Sequence, residues 1–228
     1  MKKVWVYDIE TLKNCFTYTA RNVVSGEIVQ FVIWNDRNDI EELSAHLYSC
    51  TAMIGFNNLA FDYPVIHFIL ERYWGNKPVD EIVSAIYDKA QSVIKAEYSN
   101  VPEKDVRIPQ VDLFKIHHYD NMARSRGLRK LQISMRYPNV QDMPYRYDQD
   151  IETKEQVQEI LDYNKNDVDS TYEFYLITKP KLDLRQGIFD MYDLKCTNFS
   201  DSKIGESLML KLYCDATRKS IVDVRKMR

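Results

Sequence analysis

Apolar and polar positions change rhythm along this chain. Near the N-terminus the runs are short and rich in β-branched and aromatic residues. Residues 3–8, 15–22 and 27–34 read as three strands, with Ser25-Gly26 as a hairpin turn between the last two. An amphipathic helix follows at 39–48. "TAMIGFN" is a short apolar strand that ends in a turn at Asn57-Asn58. A helix is expected over 62–73, with Pro64 suited to its first turn. Residues 79–97 carry apolar positions at Val79, Ile82, Val83, Ile86, Ala90, Val93 and Ile94, which is helical spacing.

A polar connector, "EYSNVPEKD", leads to a strand in "IPQVDLF", and "GLRKLQISMRY" reads as a short helix. Residues 138–152 look like loop. A long helix should start at Thr153, where Gln156 three residues on completes a capping box, and should stop at Pro180. Residues 181–228 read as mostly helical. An opening meander followed by alternating strands and helices predicts an α/β domain with a mixed sheet and helices on both faces.

Composition narrows the function classes. The chain has 228 residues, 45% of them hydrophobic, which suffices for one large domain, or a domain with an appendage. A net charge of −3 argues against unspecific, charge-driven wrapping of nucleic acid. It leaves room for a nuclease, whose positive charge can arrive as metal ions. Cys15, Cys50, Cys196 and Cys214 form no C-x-x-C pair, so free thiols in a reducing compartment are expected. The apolar stretch after Lys2 and Lys3 is broken at Asp8, too early for a signal-peptide core, and no run approaches a membrane span. The expectation is a soluble intracellular protein without membrane contact.

The candidate chemistry lies in the acids. In "VWVYDIET", Asp8 and Glu10 stand two apart on a strand, hence on one face, at its expected end. Like charges that close raise each other's pKa, and burial raises it further. "GFNNLAFDYPVI" puts Asp62 just after a strand and turn, and "VDLFKIHH" puts Asp112 at a strand end. "ILDYNKNDVDSTYEFY" places Tyr163 and Asp167 four apart on one helix face. Each has a structural reading as well. Asp62 and Asp112 could cap helices, a cap being the preferred reading of Asp112. Tyr163 and Asp167 could sit on a solvated face, and Asn57 and Asn58 could be turn residues only.

Taken together, a strand-end D-x-E, an N-x-x-F-D and a helical Y-x-x-x-D in that order resemble the DEDD exonucleases in the branch with Tyr in the third motif. "DIET", "NLAFD" and "YNKNDV" are similar to the proofreading domain of phage family-B DNA polymerases, close to the protein-primed type. The likeness runs from Met1 to about Tyr175. It implies a ribonuclease H-like fold with a five-stranded mixed sheet in residues 1–180. Residues 181–228 would then be a helical extension or connector. It also implies a 3′→5′ exonuclease acting on single-stranded DNA by a two-metal mechanism, with Mg²⁺ as the ion and Mn²⁺ able to substitute. The implied setting is proofreading in phage replication, in a bacterial cytoplasm, with a polymerase domain or subunit as companion.

By the same resemblance, Asp8 would touch both ions, Glu10 and Asp167 would complete the first site, and Asp62 would hold the second ion through water. Tyr163 would orient the attacking water, since its phenol is too weak an acid to serve as a free base at neutral pH. Thr11, Leu12, Asn58 and Phe61 match positions that receive the terminal nucleotides, Phe61 with an equal claim as a core residue. Arg124, Arg126, Arg129 and Lys130 form a basic cluster that could guide a strand, or simply be a solvated face, the preferred reading. One departure stands out. The protein-primed relatives carry a catalytic lysine where "NVQDMPY" has none; Arg146 or Lys154 would have to substitute. Two other readings remain open: an RNA 3′-exonuclease of the ribonuclease D type, and a non-catalytic nucleic-acid-binding subunit of a split polymerase.

Overall fold

The computed structural model describes residues 3–96 and 100–226; residues 97–99, where the polar connector begins, lie outside the described residues. The chain divides into two compact units. One comprises Met1–Asp112 with Arg126–Leu176, the other Leu113–Ser125 with Ile177–Arg228.

The first unit is built on a mixed six-stranded sheet. The strands are β1 (Val4–Leu12), β2 (Cys15–Asn22), β3 (Ile28–Trp34), β4 (Arg37–Asn38), β5 (Ala52–Gly55) and β6 (Gln110–Asp112), in spatial order β4-β3-β2-β1-β5-β6. β1 to β4 form an antiparallel meander, and β5 and β6 run parallel to β1 and to each other. The sheet has one strand more than the expected five. The extra one, β4, is two exposed residues long, too short to leave an alternating pattern in the sequence.

β1 also runs further than its apolar run suggests. It stays paired with β2 through Leu12↔Cys15, and Lys13-Asn14 make the turn. Asp8 and Glu10 are therefore interior strand residues, not a frayed end. Their polarity reflects the face they occupy. Trp5, Tyr7 and Ile9 point to one side of the sheet, where they join Phe16, Tyr18, Ala20 and Ile33. That side is closed by α1 (Ile40–Ser49), α2 (Asp62–Leu70) and α3 (Val79–Lys95), which contribute Leu43, Leu47, Ile66, Ile69, Ile82 and Ile86. Leu12, Cys15, Val32 and Trp34 share a second cluster with Ile151 and with Val157, Ile160 and Leu161 from the start of α6 (Lys154–Tyr192). Helices thus flank both faces.

α6 begins as its sequence dictates. Thr153 Oγ1 accepts from the Gln156 amide at 3.3 Å, and Gln156 Oε1 accepts from the Thr153 amide at 3.0 Å. Its end differs from expectation. The helix continues through Pro180 to Tyr192. A proline removes the amide that would reach the carbonyl four residues back, which costs on the order of 3 kcal/mol; the turns on either side of it sustain the helix.

In the second unit, α4 (Leu113–Ile116), the last part of α6, α7 (Asp201–Thr217) and α8 (Ile221–Arg225) are joined by irregular segments. The buried Arg185 organises it, donating to the Phe199 carbonyl at 2.7 Å and to Asp201 at 2.9 Å. Ser200 caps α7 by accepting from the Lys203 amide. All four cysteines are unpaired. Among the described residues no helix is long and apolar enough to cross a membrane.

Candidate metal centre

On the α6-facing side of the first unit's sheet, β1 is apolar at Val6 and at Leu12. Between them it carries Asp8 and Glu10, whose cross-strand neighbours on β2 are Thr19 and Thr17. Thr19 Oγ1 accepts from Gln30 Nε2 at 3.2 Å, so the floor of this region is polar. α5 (Leu128–Met135) and α6 supply the opposite wall. Asp167 projects from α6, and single ligand oxygens of Asp8, Glu10 and Asp167 lie within 4.8 Å of one another. One helical turn earlier, Tyr163 donates its hydroxyl to the Asp167 carboxylate.

Asp62 approaches from a third element. It is the first residue of α2, and its carboxylate accepts from the backbone amides of Ile9 and of Asp62 itself. β5 pairs with β1 only from Val4 to Val6, so this edge of β1 is turned to Asp62 at Ile9. Asp62 is not one of the three acids whose ligand atoms meet. It acts on them through its charge, which raises the pKa of both Asp8 and Glu10.

All four acids are harder to ionise than in water. Loss of solvation is the largest cause for each. Asp8 and Glu10 are held well above the carboxylate range, with the neighbouring acids adding to the effect. Asp62 is pushed up to about 7, with its two amide hydrogen bonds opposing the rise. Asp167 is raised less, because Gln132 and Tyr163 donate to it. Burial and the surrounding negative charge hold the Tyr163 phenol far above neutral pH, which rules it out as a free base. Among the described residues, the groups with the largest effects on these four acids include no Lys or Arg.

That pattern fits a hard divalent cation. Ions of this kind take carboxylate oxygens at roughly 2.0–2.6 Å, and two opposite ligands then stand up to about 5 Å apart. An ion between Asp8, Glu10 and Asp167 would remove the repulsion that the protein leaves uncompensated.

The other expected site residues fall in two groups. Thr11 and Phe61 are half-buried, Phe61 packed against the core under α1–α3. Leu12 and Asn58 are built into the interior. Leu12 belongs to the cluster beneath α6, and Asn58, 0% exposed, donates Nδ2 to Gln110 Oε1 at 2.8 Å. A Cβ added at Gly55 would stand 2.6 Å from the Asn58 Cβ, so the two residues fit only as they are. The Leu12 and Asn58 side chains are thus packed away from solvent.

The Asp112 carboxylate accepts from the amides of Asn57 and Leu59 at 3.0 and 3.3 Å. This holds the turn that leads to Asp62, and Asn57 adopts a φ of 62° there. In the basic cluster, Arg129 pairs with Asp142 and Arg126 donates to Ser134. Arg146 is bidentate on Asp148, and Lys154 opens α6. Neither acts on the four acids. The cleft of about 630 Å³ lined by His67, Phe68, Arg72, Lys89 and Arg107 includes none of them either.

Two residues here carried no signal in the sequence. Asn164 donates Nδ2 to Asp8 Oδ2 at 2.7 Å, and Gln132 donates Nε2 to Asp167 Oδ1 at 2.8 Å. No family model matches the chain, and no curated protein matches it.

Proposed function

We propose that this chain is a metal-dependent 3′→5′ exonuclease of the DEDD type with a catalytic-site tyrosine, acting on single-stranded DNA. The observation that carries the reading is the convergence of Asp8, Glu10 and Asp167 within 4.8 Å, with Asp62 coupled to Asp8 and Glu10 by charge. A mixed sheet with helices on both faces is compatible with a ribonuclease H-like fold.

Divalent ions bound here, Mg²⁺ or Mn²⁺, would supply Lewis-acid stabilisation of the charge that builds on the phosphoryl oxygens and the leaving group. Asp8, Glu10 and Asp167 would hold them, with Asp62 at the margin. In the hydrolysis, water adds to the phosphorus of the last phosphodiester. The bond to the 3′ oxygen of the penultimate nucleotide breaks, leaving a new 3′ hydroxyl and a nucleoside 5′-monophosphate. Tyr163, fully protonated and pinned to Asp167, orients that water by hydrogen bonding. Half-buried Thr11 and Phe61 remain suited to contact the terminal nucleotide, Phe61 by stacking.

Single-stranded DNA labelled at one end and then at the other tests the reading, with Mg²⁺ or Mn²⁺ and with chelator. A 5′-labelled strand should shorten progressively, and chelator should stop it. A matched RNA strand run in parallel distinguishes the two substrate classes. A homogeneous preparation that leaves both strands intact in Mn²⁺ would overturn the nuclease assignment.

A further inference from the structure

Two carboxamides abut the acid cluster and have no part in the chemistry above. Asn164 follows Tyr163 in α6 and is 0% exposed; its Nδ2 donates to Asp8 Oδ2 at 2.7 Å. Gln132 on α5 is 1% exposed; its Nε2 donates to Asp167 Oδ1 at 2.8 Å and to Ser170 Oγ at 2.9 Å. In both residues the carbonyl oxygen of the amide is buried without a hydrogen-bond partner. Leaving a buried acceptor unsatisfied is unfavourable, so packing alone would select leucine or methionine at these two positions. What the carboxamides offer instead is an N–H aimed at an acid.

Resting on the metal reading, we propose that Asn164 and Gln132 are positioning residues. Each clamps one oxygen of a cluster acid, Asp8 or Asp167, and leaves the second oxygen of that carboxylate for a shared divalent cation. Without the clamp, repulsion from Glu10 and Asp62 would rotate the Asp8 carboxylate away before a cation arrives. A carboxamide suits the task better than a lysine or arginine would. It donates a hydrogen bond to the carboxylate yet brings no charge to compete with the ion. Outer hydrogen bonds of this kind orient metal ligands and commonly govern affinity as strongly as a ligand does.

The test is Mn²⁺ binding to the full chain, followed by calorimetry and by the electron paramagnetic resonance signal of the free ion. Asn164→Leu and Gln132→Met keep the side-chain size and remove the donor. Each should weaken Mn²⁺ binding by about tenfold or more. The Asn164→Leu loss should vanish in an Asp8→Asn background, measured at millimolar Mn²⁺, because the clamp acts through Asp8. A general structural defect would persist there. Wild-type affinity in both variants, or an undiminished Asn164→Leu loss beside Asp8→Asn, overturns the proposal while the metal reading stands. If the wild-type chain itself binds no Mn²⁺, both fall. Should Asn164→Leu not fold, Gln132→Met decides, with Asp167→Asn as its background.

Discussion

The two faces of the central sheet in the first unit solve opposite problems. Under α1, α2 and α3 lies a dry cluster built from Trp5, Tyr7, Ile9, Phe16, Tyr18, Leu43, Ile66 and their neighbours. Its polar atoms are few; Tyr18 and His46 bond at 3.1 Å, while Trp5 Nε1 is buried without a partner. The face toward α6 is apolar around Leu12, Val32 and Trp34 and at Val6. Beyond that it gathers acids, threonines and carboxamides, and several of their buried atoms have no hydrogen-bond partner: Thr17 Oγ1, Gln132 Oε1 and Asn164 Oδ1. β1 feeds both faces from alternate residues of one nine-residue strand. One face contributes stability, and the other consumes part of it to keep like charges together.

Breaking the polar face first should give the largest effect. Asp8→Ala is expected to lower single-strand cleavage at least about a thousandfold, roughly 4 kcal/mol of transition-state stabilisation. The cation-free variant should melt no lower than the wild type, because one member of a repulsive cluster is gone. End-labelled digestion and a melting curve in chelator check the two halves. The dry face should answer in reverse. Ile66→Ala should cost about 2–5 kcal/mol in urea unfolding, while the folded fraction keeps its Mn²⁺ affinity.

The contrast sharpens with pH. The raised acids hold protons in the folded chain that the unfolded chain has already released, so their contribution to stability falls as pH rises. Asp62, moved from 3.8 to about 7, loses its contribution between those values, and Asp8 and Glu10 act in the same direction. His46 and His117, both lowered by burial to about 4, oppose this trend below 6.5, where the unfolded chain takes up their protons. Between about pH 6.5 and 7 the acids dominate. In chelator the melting temperature should therefore fall across that window, each unit of raised pKa being worth about 1.4 kcal/mol. Millimolar Mg²⁺ should reduce the fall, and Asp62→Asn should lessen it in chelator. A flat profile in chelator would mean that the cluster is not strained by its own charge.

The smallest of these effects belongs to Tyr163. Removal of its hydroxyl in Tyr163→Phe should slow cleavage about tenfold, near 1.4 kcal/mol, and leave Mn²⁺ binding close to wild type. Turnover unchanged at saturating substrate would remove Tyr163 from the mechanism.

Much of this arrangement is written locally. The shared face of Asp8 and Glu10, the spacing from Tyr163 to Asp167 and the box formed by Thr153 and Gln156 each depend on residues a few positions apart, and local geometry alone sets their outcome. So do the limits of β2 at Cys15 and Asn22. Where the local reading went astray, a distant partner intervened. β1 continues past Asp8 because β2 pairs with it to the end. Asn58 turns inward because Gln110, 52 residues away, accepts its amide.

The sequence by itself therefore determined most of the strands and helices, though not β4 or the end of α6, and which acids could share a face. Periodicity is a property of neighbouring residues, and the chain states it directly. Only the tertiary structure decided that β1, α2 and α6 bring Asp8, Glu10, Asp62 and Asp167 into one electrostatic group. It alone revealed Asn164 and Gln132 as their hydrogen-bond partners, across separations of 156 and 35 residues. Contacts of that range depend on how whole elements pack, and a buried carboxamide looks no different in a sequence from an exposed one.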